Sequence, residues 1–144
     1  MIVHAGAVAK WVNRSGWRAA LIFGPSGAGK SDLALRALQA GWRLVSDDYA
    51  MVWDSDGELW VRAPATIADR IEARGLGIEM EPALNVARAT LAVVCDGAEI
   101  ERLPSPETME LEGVALPCIH LNPLEASALT KVDRALSTRR ADPA

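Results

Sequence analysis

Gly24-Pro25-Ser26-Gly27-Ala28-Gly29-Lys30-Ser31 is the stretch on which the reading of this chain turns. Its spacing is G-x-x-x-x-G-K-[ST], the pattern of a phosphate-binding P-loop. The apolar run Ala19-Ala20-Leu21-Ile22-Phe23 precedes it and the helical Asp32-Leu33-Ala34-Leu35-Arg36-Ala37-Leu38 follows, so a strand delivers a glycine-rich turn into the start of a helix. Glycine permits backbone angles that a Cβ would block, which lets successive N–H groups converge on one anion. The first amides of the helix and its macrodipole add positive potential at the same place. On this pattern Gly24, Pro25, Ser26, Gly27, Ala28 and Gly29 wrap the phosphates of ATP. Lys30 reaches the β- and γ-phosphates, and the Ser31 hydroxyl ligates Mg²⁺. The bland alternative, a chance match in a glycine turn, lacks the flanking strand and helix.

The 144 residues fit one domain, 1–144, large enough to enclose a core. Half of them are hydrophobic and 24% are charged, as in a globular protein. A net charge of -4 leaves no electrostatic footprint for nucleic acid or an anionic membrane, so a nucleotide site must gather positive charge locally. The apolar runs are far shorter than the ~20 residues that span a bilayer. The opening Met1-Ile2-Val3-His4-Ala5-Gly6 lacks the basic and long apolar regions of a signal peptide. Cys95 and Cys118, isolated and outside any C-x-x-C, read as reduced, buried thiols of a cytoplasmic chain rather than as a disulfide.

Outward from the P-loop, Val3 to Val12 is apolar and loosely alternating, and Asn13-Arg14-Ser15-Gly16 is a turn cluster. This predicts a β-hairpin whose second strand feeds the P-loop. Its first strand carries His4 toward the phosphates, although a lone histidine is more often structural. Downstream, Leu33, Ala34, Ala37 and Leu38 form the apolar stripe of the helix, and Gly41 supplies a left-handed stop. Trp42 to Asp48 then reads as a strand ending in two carboxylates. A strand-helix-strand crossover makes that strand run parallel to the first, so Asp47 and Asp48 emerge beside the P-loop, where such sheets bind ligands. Strand alternation lets only one of them face the nucleotide unless the strand ends there. A carboxylate in that place orients the metal or accepts the proton of an attacking hydroxyl; the alternative is a solvated turn.

Tyr49–Trp53 and Glu58–Arg62, joined by Asp54-Ser55-Asp56-Gly57, predict a second hairpin, and the turn acids lack calcium-loop spacing. Pro64 to Arg70 reads as irregular or a single helical turn. In Ile71-Glu72-Ala73-Arg74-Gly75-Leu76-Gly77-Ile78 a glycine-containing loop offers Glu72 to a metal and Arg74 to an anion, or is an ordinary loop with a surface ion pair. Ala89 to Cys95 is continuously apolar, as a doubly covered central strand should be. Ile100 to Pro106 predicts a strand then a loop, with Thr108 to Leu116 pairing against it. Pro117 to Leu121 predicts a last strand, on which His120, without an adjacent acid or cysteine, reads as structural. Asn122-Pro123-Leu124-Glu125 carries cap, first-turn proline and third-position acid, so a helix is expected from there, its apolar face continued by Ala128, Leu129, Val132 and Leu136. Residues 137–144 read as a frayed tail.

Taken together, His4, the P-loop with Asp32-Leu33-Ala34-Leu35, Gly41-Trp42-Arg43-Leu44-Val45-Ser46-Asp47-Asp48 and Ile71-Glu72-Ala73-Arg74-Gly75-Leu76-Gly77-Ile78 resemble, in that order, the catalytic domain of HPr kinase/phosphorylase. The last stretch resembles the family's I-E-x-R-G-L-G-I signature. The resemblance implies an α/β P-loop fold of the phosphoenolpyruvate-carboxykinase-like kind, with a leading β-hairpin and a C-terminal helix. It also implies ATP with Mg²⁺ or Mn²⁺, and the phosphocarrier protein HPr as substrate within the phosphotransferase system. By analogy Asp48 is the proton acceptor for the serine hydroxyl and Asp47 its partner near the metal. His4 and Lys30 act on the transferred phosphoryl group, Ser31 and Glu72 hold the metal, and Arg74 and Gly75 lie in the signature loop. Relatives assemble as hexamers, so a homo-oligomer is expected. Full-length relatives carry an N-terminal domain for which 144 residues leave no room, so the chain resembles the short form. A P-G-R-N-type segment is not visible, and Asn122-Pro123-Leu124-Glu125 stands in the comparable region, so the resemblance favours the kinase over the phosphorylase direction. Rival readings are an ATP-sensing binding module without transfer and a small-molecule P-loop kinase, for which no arginine-rich lid insertion is evident.

Overall fold

Strict alternation of side chains along the first long strands decides how the sheet is covered. A computed structural model describes residues 1–97 and 99–140. In chain order its elements are β1 (Ile2–Val3), β2 (Ala5–Val12), β3 (Gly16–Phe23), α1 (Lys30–Gln39), β4 (Arg43–Ser46), β5 (Ala50–Ser55), β6 (Glu58–Arg62), a 3₁₀ turn (Ala65–Ile67), β7 (Arg70–Ala73), β8 (Gly77–Met80), β9 (Ala87–Val94), β10 (Glu107–Leu111), β11 (Val114–His120) and α2 (Ala128–Thr138). Val8, Ala20, Ile22, Leu91 and Val93 point to one face and pack on Leu33, Ala34 and Ala37 of α1 and on Ala128, Val132 and Leu136 of α2. Ala5, Ala7, Ala9, Ala19 and Leu21 point to the other, against Val52, Leu59, Val61, Leu111 and Leu116. The run of alanines on that second face leaves room for the outer hairpins to curl over it.

The main sheet is nine-stranded with the path β1-β5-β6-β9-β3-β2-β4, and β11 joins β9 and carries β10. The expected leading hairpin is present: β2 and β3 pair antiparallel from Ala5↔Phe23 to Val12↔Gly16. As predicted, β9 is central, parallel to β3 along one edge. Its other edge is divided, Ala87 to Ala89 pairing with β6 and Ala92 to Val94 with β11. Between β3 and β9 the register slips so that Ala19 faces Ala89 but Ala20 faces Leu91. This bulge at Thr90 turns Leu91 and Val93 toward the helices.

Strand β4 runs in the same direction as β3, as the crossover demands, yet its neighbour is β2, antiparallel to both. The start of β2 and the ends of β3 and β4 therefore share one edge of the sheet. Two strand spacings, about 10 Å, separate the end of β3, where the P-loop begins, from the end of β4, which leads into Asp47 and Asp48, and the head of β2, next to His4, lies between them.

The helix that follows the P-loop ends as Gly41 predicts. With φ 94° at Gly41, the Gly41 N–H donates to the Leu38 carbonyl (3.1 Å) and the Trp42 N–H to Ala37 (3.0 Å), a Schellman closure. The second predicted hairpin forms as β5 and β6.

Four expectations are corrected. Among the described residues no strand forms between Ile100 and Pro106; Thr108 to Leu116 instead fold on themselves into β10 and the start of β11, turning at Glu112-Gly113, both at positive φ. Ile71 to Ile78 is not a loop but the hairpin β7–β8, turning at Gly75. The last helix begins at Ala128 rather than at Asn122, because the Arg36 guanidinium takes the carbonyls of Pro123 and Glu125 and the Asn122 side chain closes a local turn on the Leu124 amide (3.0 Å). Ser137 and Thr138 belong to that helix, their hydroxyls bonding back to Asp133 and Arg134 carbonyls (3.0 and 2.8 Å); the rest of the expected tail from 141 lies outside the described residues.

Candidate active site

Gly24 leaves β3 against the end of β9. A Cβ there would stand 2.4 Å from the Cys95 carbonyl oxygen, so only glycine lets the chain pass. Gly29, at φ 105°, is the N-cap of α1 and makes no side-chain capping bond, so the opening amides of the helix keep their donors for a ligand. Between them the Ala28 N–H closes a turn on the Pro25 carbonyl at 3.1 Å. Lys30, buried at 8% exposure, donates from Nζ to the carbonyls of Gly24 and Pro25. Its charge is thus held under the loop.

Because β4 ends at Ser46, alternation no longer separates the two acids after it. The Tyr49 N–H donates to the Asp47 carbonyl (2.8 Å) across a tight turn centred on Asp48, whose φ is 68°. A positive φ at a non-glycine residue is strained and needs support from its surroundings. The buried Ser46 hydroxyl, donating to the Tyr49 carbonyl, supplies it. The turn sends Asp47 and Asp48 to different tasks. Asp47 accepts from the Ser31 hydroxyl on Oδ1 (2.8 Å) and from the Glu72 N–H on Oδ2 (2.9 Å), joining the helix start to β7. Asp48 bonds His4 Nε2 at 2.9 Å, and the His4 ring stacks on Tyr49 with centroids 4.9 Å apart.

These elements enclose a cavity of about 620 Å³ lined by Ser26, Gly27, Gly29, Lys30, Ser31, Asp32, Leu35, Asp48, Glu72, Arg74 and Leu124. Of the residues singled out from sequence, Lys30, Ser31, Asp48, Glu72 and Arg74 are brought together on its wall. Asp47 stands behind Ser31 and lines a smaller hollow with Tyr49 and Ile78. His4 lies between β1 and β2 rather than within a strand, and reaches the cavity through Asp48. Gly24, Pro25 and Ala28 shape the loop without lining the cavity, and Gly75 sits at the turn of the β7–β8 hairpin without lining it.

Sequence reasoning missed Tyr49, which fixes the His4 ring, and Leu124, whose side chain abuts Gly29; a Cβ on Gly29 would come within 3.1 Å of it. Neither carries a local signal, because both act through contacts with residues distant in the chain. Burial pushes the Cys95 thiol up to about 11, with Lys30 lowering it and Asp96 raising it, so this cysteine stays a protonated packing group near neutrality.

Ser31, Asp47 and Glu72 offer only oxygen donors, the chemistry that a small hard cation takes. The sequence family described as HPr Serine kinase C-terminal domain matches residues 17–89, about half of the chain. The chain belongs to that family. Among its relatives, the HPr kinase/phosphorylase of Clostridium beijerinckii is 48% identical over 58 residues, which are 40% of this chain and 19% of that protein. That of Clostridium tetani is 42% identical over 64 residues, 44% of this chain and 21% of that protein. The matched stretch thus spans about a fifth of the length of these relatives. In three dimensions the chain is similar to the Hpr(Ser) kinase/phosphatase from Coxiella burnetii, with a TM-score of 0.74 at 22% identity, covering 93% of this chain and 96% of that one. The two share the fold. The family match contains the P-loop, both aspartates, Glu72 and Arg74, whereas His4 and Leu124 lie outside it.

Proposed function

We propose that this chain transfers the γ-phosphoryl group of ATP to a seryl hydroxyl of the phosphocarrier protein HPr, in the cytoplasm, as part of phosphotransferase-system regulation. Asp48 carries the reading: a carboxylate held by His4 on the wall of the cavity that the P-loop and Lys30 also line. The open amides at Gly29 and the Lys30 ammonium suit the triphosphate of ATP. Mg²⁺ fits the oxygen donors of Ser31 and Glu72, with Asp47 oriented behind Ser31, and when bound it neutralises phosphate charge. Mn²⁺ suits the same donors.

Phosphoryl transfer of this kind has a largely dissociative transition state, so positioning and electrostatics supply most of the rate. The chain's own groups divide that work. P-loop amides and Lys30 balance the charge on the transferred group, and Asp48 accepts the serine proton late in transfer. His4 holds Asp48 in line, and Arg74 offers a second cation from across the cavity. Assembly as a homo-oligomer, a hexamer by family resemblance, belongs to the same proposal and is read by light scattering.

Labelled ATP incubated with the chain and purified HPr tests the reading. Label on HPr supports it. ATP binding without transfer would instead leave a nucleotide-sensing module, and label in a metabolite a small-molecule kinase. Repeating the reaction backward, from phosphoserine-HPr with phosphate or ADP, decides whether the reverse direction operates.

A further inference from the structure

On the far side of β9 from the P-loop hairpin, β10 and β11 assemble a group of side chains that the phosphoryl-transfer reading does not use. Glu107 and Cys118 are direct cross-strand partners in the β10–β11 ladder, and His120 follows Cys118 two residues on. Pairing across a ladder and a spacing of two along a strand both place side chains on one face. One ligand atom from each of the three lies within 4.8 Å of the others. The His120 Nε2 and a Glu107 carboxylate oxygen are already 2.9 Å apart.

We infer that Glu107, Cys118 and His120 form a binding site for one divalent cation of the Zn²⁺ class, separate from the P-loop. Tetrahedral Zn²⁺ with usual bond lengths spaces its sulfur, nitrogen and oxygen ligands about 3.3–3.6 Å apart. Movements of about 1 Å, within the reach of side-chain torsions on a partly exposed strand face, therefore close the set. A thiolate and an imidazole beside one carboxylate select a borderline-soft ion over Mg²⁺.

A plain Glu107–His120 ion pair explains the 2.9 Å contact but not the other ring nitrogen. His120 Nδ1 is buried without a hydrogen-bond partner and faces Asp96 Oδ2 at 3.9 Å. A metal on Nε2 fixes the ring proton on Nδ1, directed at that carboxylate, the arrangement by which histidine ligands are oriented and made more basic. The site opens on a hollow of about 480 Å³ whose wall also carries Glu99 and Glu101, and these offset the positive charge of Arg139 and Arg140 there. The fourth position is left to solvent. Bound metal would clip β10 to β11 just before the Asn122–Glu125 segment that rests on Gly29.

Reduced, chelator-treated chain titrated with Co²⁺ in excess Mg²⁺, without nucleotide, tests this independently of kinase activity. The expected result is one equivalent of Co²⁺ giving tetrahedral ligand-field bands and a thiolate-to-cobalt charge-transfer band, both displaced by Zn²⁺. Cys118→Ser should abolish the charge-transfer band and Cys95→Ser should keep it. Glu107→Gln, an isosteric change at an exposed position, and His120→Ala should each weaken binding at least about tenfold. Absence of a thiolate band in the wild type, its survival in Cys118→Ser, or unchanged affinity in Glu107→Gln would overturn the assignment.

Discussion

At Gly24 the chain leaves its strand within 2.4 Å of where any Cβ would strike the Cys95 carbonyl, at a φ of 155°. Gly24→Ala should therefore lower stability by about 3 kcal/mol, through steric overlap with backbone that cannot rotate aside and through added strain; urea unfolding measures it, and a loss under about 1 kcal/mol would mean the loop relaxes. Asp48→Asn keeps the size of the side chain and removes its ability to accept a proton. ATP binding should survive while transfer to HPr falls roughly 10²–10⁴-fold. Wild-type transfer by that variant would move the base to Asp47. The placement of the P-loop residues and of the Asp47-Asp48 pair was readable from the chain because it follows from spacing and from strand ends. His120 was not: its neighbours Glu107 and Asp96 arrive through strand pairing, invisible to any local window.

Single elements owe their placement here to a few polar side chains. The β7–β8 hairpin, which brings Glu72 and Arg74 to the cavity, is tied to the site by the bond from the Glu72 amide to Asp47. Asp47→Ala removes that bond and the one to Ser31 together. The Glu72 amide should then exchange with deuterium at least about tenfold faster, a loss of about 1.4 kcal/mol of local stability, while amides at the centre of β9 keep their protection. Unchanged exchange would show that packing of Ile71 alone holds the hairpin. The leading hairpin and α1 could be anticipated because apolar alternation and the helical stripe are local properties. The start of α2 could not, since Asn122-Pro123-Leu124-Glu125 looks like a helix opening until the Arg36 side chain claims its carbonyls. Likewise Glu112-Gly113 is an unremarked pair in sequence, yet its two positive-φ residues make the turn of β10 and β11.

For the molecule as a whole, a ligand that binds only the folded chain raises the unfolding temperature. MgATP at a hundred times its Kd adds about 2.7 kcal/mol, which for a domain of this size raises Tm by roughly 5–10 °C. Lys30→Ala should abolish that rise and phosphoryl transfer while its own Tm and far-ultraviolet circular dichroism stay close to those of the parent; a preserved rise would remove Lys30 from phosphate binding. At this scale the direction of β4 followed from its crossover, but its neighbour did not: burial patterns say that a strand is covered, not which strand lies beside it, and the insertion of β2 is what puts His4 within reach of Asp48. The cavity also has an uneven origin along the chain. Among the described residues all of its polar lining comes from residues 26 to 74, and from the second half only the apolar Leu124 contributes. Beyond β9, substitutions are thus screened chiefly by whether they keep the scaffold intact. A deep mutational scan scored for catalysis and for abundance should see the two maps diverge up to Arg74 and run together afterwards, so that tolerance of the C-terminal half is set by folding and tolerance of the N-terminal half by folding and chemistry at once.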